Sequence, residues 1–187
     1  MQQKQPKMPL RTCPSVKWVD IVSRLERACT TFLENDAALL RVDANERSMT
    51  HRLAQYLQCE FPGLNVDCEY NRKGKTPKRL RGHVDQAITA PDTKGTTVFP
   101  DIIVHRRGAQ CNLLVIEAKK YPYTEDELNY DKRKLQAYCD ELRYEYGVLV
   151  LFYVGEKYGI ACKRPQANGP DICEFALGEC VDDRVPI

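Results

Sequence analysis

"LLVIEAKKY", residues 113–121, starts as strand interior and ends in charge. Leu113, Leu114, Val115 and Ile116 have the apolar, β-branched character of a buried strand. Glu117 and Lys119 follow with only Ala118 between them. Side chains alternate across a strand, so the carboxylate and the ammonium project from one face. An apolar strand that carries such a pair toward the core needs either a chemical use for it or a solvated end.

The segments around it build a sheet. "FPDIIVH" (99–105) and "CNLLVIEAKK" (111–120) are expected to form a hairpin across "RRGAQ", where Gly108 suits a tight turn. "LNVDCEY" places Leu64, Val66, Cys68 and Tyr70 on one face, as in a half-buried strand, and "HVDQAIT" (83–89) is a shorter candidate. "YGVLVLFYVG" (146–155) is apolar on both faces and is expected at the sheet centre, with "GIACKR" (159–164) and "CEFAL" (173–177) outside it. Helices are expected over about 15–33, 45–59 and 125–146, each from apolar residues at three- and four-residue spacing. Helices interleaved with hairpins around one sheet define an α/β class with a mixed sheet.

Composition sets the outer limits. The chain has 187 residues, 43% hydrophobic and 29% charged, as expected of one folded domain. Residues 1–14, with Pro6, Pro9 and Pro14, are expected to form a flexible leader, and 15–187 a single domain. A net charge of +2 is too small to argue for nucleic acid, so any electrostatic case must be local. No stretch reaches the ~20 apolar residues of a membrane span, and the polar start lacks the apolar core of a secretory signal. A cytoplasmic location is the default expectation. The nine cysteines include no CxxC pair and no finger-like histidine spacing. They are expected to be reduced, most of them serving as small core hydrophobes.

The chemistry concentrates on acids. Pro100-Asp101 leads into "IIVH", and the hairpin brings Asp101 and Glu117 to neighbouring strand ends. Two buried carboxylates repel each other, and each costs several kcal/mol to desolvate unless compensated. A divalent cation compensates directly, and Mg²⁺ takes only one or two protein carboxylates, keeping waters and substrate phosphate. Lys119 beside it is placed to orient an attacking water and offset negative charge.

Pro100-Asp101 followed by Glu117-Ala118-Lys119 resembles the signature of the PD-(D/E)XK nuclease superfamily, whose fold is restriction-endonuclease-like. Glu46, in the helix "ANERSMTHRLAQYLQ", matches the acidic residue often found ahead of the first strand. Asp131 and Lys134, in "DKRKL", fall where accessory polar residues often stand. Gln136 is followed at four residues by Asp140, so the recombination-nuclease variant with Gln and Tyr at that spacing is absent. The resemblance implies a central mixed sheet flanked by helices in the order αβββαβ. It implies a catalytic set of Asp101, Glu117, Lys119 and Glu46, and Mg²⁺ (or Mn²⁺) held by Asp101, Glu117, the Ala118 carbonyl and Glu46. The implied activity is hydrolysis of nucleic acid, DNA first, with a homodimer left open. A nuclease-fold protein that binds without cutting is the alternative.

"NRKGKTPKRLRG" (71–82) holds Arg72, Lys73, Lys75, Lys78, Arg79 and Arg81 with no acid, and is expected to track a phosphate backbone or to be a solvated loop. His51, five residues past Glu46, is expected to face away from it. His105 shares a strand face with Asp101, and His83 borders the basic segment. All three are expected to be structural or peripheral.

Overall fold

In the computed structural model the described residues are 13–73, 76–77, 79–80, 96–163 and 174–178. Helix α1 (Trp18–Arg41) and helix α2 (Glu46–Glu60) come first, followed by strand β1 (Asn65–Cys68). Two-residue strands β2 (Arg72–Lys73), β3 (Thr76–Pro77), β4 (Arg79–Leu80) and β5 (Thr96–Thr97) form two small ladders, β2 with β3 and β4 with β5. Strands β6 (Ile102–His105) and β7 (Asn112–Lys120), helix α3 (Glu125–Leu142), and strands β8 (Tyr146–Tyr153), β9 (Gly159–Lys163) and β10 (Glu174–Gly178) complete the order.

The main sheet has six strands in the order β1-β6-β7-β8-β9-β10. Every neighbouring pair is antiparallel except β7 and β8, which run parallel. A parallel pair requires a crossover, and α3 supplies it. The architecture is therefore α/β with a mixed sheet. Helices α1 and α2 cover one face, where Phe32, Met49 and Leu53 pack with Ile102, Ile116, Val150 and Phe152. Helix α3 covers the other, where Leu135 and Tyr138 pack with Ile103, Val115, Leu149 and Leu151. Strand β8 is buried along nearly its whole length, as its two apolar faces required. Among the described residues no helix is long and apolar enough to cross a membrane.

Several boundaries move, each for a local reason. Helix α1 runs to Arg41, beyond the expected end near 33, because Ala37 and Leu40 continue its buried stripe. Helix α2 begins where Asn45 accepts the Ser48 N–H at 2.8 Å. Helix α3 opens on a capping box between Thr124 and Glu127. It stops at Leu142, four residues short of expectation, because Arg143 takes a left-handed conformation (φ 61°) that turns the chain into β8. Gly108 sits at φ +73° in the β6–β7 turn, a conformation that favours glycine. The strand expected at 83–89 lies outside the described residues, as do residues 1–12.

The cysteine expectation is corrected in part. Cys13 and Cys111 form a disulfide across 98 residues of sequence. Cys29 and Cys162 behave as expected, packing thiol to thiol at 3.9 Å inside the core.

Candidate active site at the end of β7

Strand β6 ends its ladder with Ile102 opposite Ile116, so one further step sets Asp101 across from Glu117. Beyond that point β7 continues without β6, while its other edge stays paired with β8 through Lys120. The N–H groups of Ala118 and Lys120 face the vacated side and need acceptors. Two carboxylates supply them. Asp101 Oδ2 accepts the Ala118 N–H at 2.8 Å, and Glu46 Oε2, from the first residue of α2, accepts the Lys120 N–H at 2.7 Å. The three acidic residues singled out in the sequence are thus drawn to one strand end.

Glu117 is only 1% exposed, so it is no surface residue at a solvated strand end. Its Oε2 accepts from Lys134 Nζ at 2.6 Å. Lys119, instead of pairing with Glu117, reaches Asp131 at 3.2 Å, and Lys134 also lies 3.8 Å from Asp131. The pairing is crosswise: Glu117 and Lys119 on β7 are each matched by an opposite charge on α3. Asp131 and Lys134 are therefore direct partners of the central pair.

Burial, then the neighbouring Asp101, pushes the Glu117 carboxyl well above its ordinary range, despite Lys134. Burial also raises Asp101, with the Ala118 N–H and the Lys134 charge opposing, and it raises Glu46. Both lysines move the opposite way from simple desolvation. Burial pulls them down, but Asp131 holds Lys119 and Glu117 holds Lys134 above the usual ammonium value. The lysines stay charged while the carboxylates lack sufficient positive charge.

Among the described residues three buried side-chain oxygens, Glu117 Oε1, Asp131 Oδ2 and the Tyr138 hydroxyl, fall short of a well-formed hydrogen bond, although Tyr138 lies close enough to Glu117 to interact with it. Tyr138 lies one helical turn beyond Lys134 on α3, and burial followed by the Glu117 charge drives its phenol upward. The sequence places it only on the apolar stripe of this helix; the four-residue spacing to Lys134 was the available signal for a site role.

These donors suit a hard divalent ion in kind. Asp101 and Glu117 offer carboxylate oxygens, and Glu117 is almost wholly buried. The Ala118 carbonyl points to the same side as its N–H, toward Asp101. The set is two carboxylates and one carbonyl, within what Mg²⁺ takes from protein. Among the described residues no group of three or more His, Cys, Asp or Glu side chains is arranged to hold a metal ion. Glu46 accordingly stands as the partner of the Lys120 N–H.

A cleft of about 650 Å³ opens beside Asp101 and Glu46, lined also by Arg47, His51, Cys68 and Phe99. His51, expected to face away from Glu46, shares this wall with it. His105 is structural: its Nε2 lies 2.7 Å from Asp67 Oδ2, and Arg107 binds the same carboxylate. In the basic segment, Arg72, Lys73 and Arg79 fall in the short ladders, and the neighbouring Leu80 is buried against the α3 side of the core. Lys75, Lys78, Arg81 and His83 lie outside the described residues. Gln136 donates to Asp140 at 3.0 Å.

In comparisons with protein-family models, curated proteins and solved structures, nothing matches the chain.

Proposed function

We propose that the protein is a metal-dependent phosphodiesterase of PD-(D/E)XK type that hydrolyses nucleic acid, DNA foremost. The observation that carries this reading is Asp101 opposite Glu117 at adjacent strand ends, both buried and both raised by that burial, with Lys134 as the cation on Glu117. The order α2-β1-β6-β7-α3-β8 supports a restriction-endonuclease-like core, because it follows the αβββαβ sequence with its last strand parallel to β7.

Asp101, Glu117 and the Ala118 carbonyl would hold Mg²⁺ (or Mn²⁺), with Glu46 behind them. When bound, the ion supplies charge neutralisation and Lewis acidity toward the scissile phosphate. Lys119, aimed by Asp131, orients the attacking water and offsets the negative charge that grows on the phosphoryl oxygens. Lys134, holding one Glu117 oxygen, opposes the burial that drives that carboxyl toward its neutral form. Glu46 fixes the end of β7 through the Lys120 N–H and so sets where Lys119 emerges. The basic residues from Arg72 to Arg81 would contribute to phosphate binding rather than to cleavage.

One observation favours a second reading. Lys134 already compensates Glu117, as in a site that binds substrate without cutting it. Incubation of the full chain with plasmid and single-stranded DNA, in Mg²⁺, Mn²⁺ or EDTA, separates the two. Cleavage abolished by EDTA is expected; salt-sensitive binding without cleavage in any metal assigns the binding role.

A further inference from the structure

Two large aromatic side chains near the site are exposed. Phe99 is 52% exposed and Tyr121 is 45% exposed, in a fold that otherwise exposes few large apolar side chains among the described residues. Phe99 lies two residues before Asp101 and lines the same cleft. Tyr121 directly follows Lys120 at the end of β7. Its N–H is tied to the Phe152 carbonyl at 2.8 Å, and its ring packs against Tyr123 and Tyr153 at centroid distances of 5.7 and 6.0 Å. Phe99 precedes β6 on one side of β7, and Tyr121 continues β7 and is tied to β8 on the other. Tyr121 is backed by an aromatic cluster, so offering a ring face costs little side-chain ordering.

An exposed ring beside a phosphate-cleaving centre suits the flat face of a base. In duplex DNA those faces are covered by neighbouring base pairs, whereas an unpaired strand leaves them free to stack, at about 1–3 kcal/mol per base. We infer that Phe99 and Tyr121 stack unpaired bases on either side of the scissile phosphate, so that the substrate class is single-stranded nucleic acid. The inference rests on the phosphodiesterase reading for the position of the phosphate, and on ring exposure for the strandedness.

The test measures binding by fluorescence anisotropy with the full chain. The probes are a labelled twelve-nucleotide oligothymidylate, the same strand paired into duplex, and the same strand with central abasic linkers. Ca²⁺ replaces Mg²⁺, and a gel confirms that the probes stay intact. The single strand should bind at least about 10-fold more tightly than the duplex. Phe99→Ala and Tyr121→Ala should each weaken single-strand binding by roughly 5- to 100-fold, the range of one lost stack. Phe99→Trp should retain binding. Abasic linkers should cost the wild type a similar factor and cost the double alanine variant little. Melting temperatures of these surface variants should match wild type. Equal affinity for duplex and single strand, alanine variants that bind the single strand normally, or no binding of any probe each overturn the inference. Cleavage by wild type is scored separately. Metal-dependent cutting with a duplex preference defeats the inference but not the phosphodiesterase reading; stacking without cutting does the reverse.

Discussion

Lys134→Met removes the ammonium that sits 2.6 Å from Glu117 Oε2 and leaves that carboxyl buried opposite Asp101. The two side chains are 15% and 2% exposed, so solvent screening is slight. Breaking a buried pair by deleting one partner typically costs about 3–5 kcal/mol. At roughly 2–4 °C per kcal/mol for a chain of this size, the melting temperature should fall by about 6–20 °C where Glu117 is ionised. The loss depends on pH with a definite sign. The folded-state value of Glu117 lies above its ordinary 4.5, so the native state binds a proton more tightly than the unfolded chain. Its favourable contribution is complete below the unfolded value and disappears as pH rises through the folded one. Deleting Lys134 raises the folded value further, so the penalty should be small near pH 4.5 and larger at pH 8. Adding Glu117→Gln removes the orphaned charge, and the double variant should recover to within about 4 °C of wild type. Thermal melts in EDTA between those pH values, on wild type, both single variants and the double, supply the cycle. Additive losses, or a Lys134→Met penalty that ignores pH, would refute the crosswise pairing.

Lys119→Ala should lower single-turnover cleavage by at least ~10²-fold, the scale of one lost preorganised donor, while Mn²⁺ binding measured by calorimetry persists. Asp101→Asn should instead lose Mn²⁺ binding and cleavage together, because it neutralises one of the two carboxylates of the donor set. Replacing Lys78, Arg79 and Arg81 with alanine should weaken nucleic-acid binding and flatten its salt dependence by about one unit of slope per lost phosphate contact. An unchanged slope would make that segment a solvated stretch. Cys111→Ser opens a 98-residue separation closed by the Cys13 disulfide, and it should cost about 2–5 kcal/mol in urea melts under non-reducing conditions. A reductant should produce the same loss in wild type and none in the variant.

Periodicity in the sequence was enough to place the sheet strands and the second helix, because burial imposes a period of two on a strand and near 3.6 on a helix. The end of α3 was less legible, since stopping it required Arg143 to adopt a left-handed backbone that its own chemistry does not announce. Asp101, Glu117 and Lys119 stood out because charge on apolar strands is costly, and that cost is visible residue by residue. Which charge meets which was not legible. Local spacing suggested Glu117 beside Lys119, but packing α3 across the end of β7 gave Glu117 to Lys134 and Lys119 to Asp131. The Cys13–Cys111 bond and the cleft shared by Glu46 and Phe99 likewise join residues far apart in sequence. The sequence by itself determined the elements and the site's residue types, because both arise from local patterns of polarity. Only the tertiary structure decided the partners, because electrostatic pairing depends on distance through space, which chain packing alone sets.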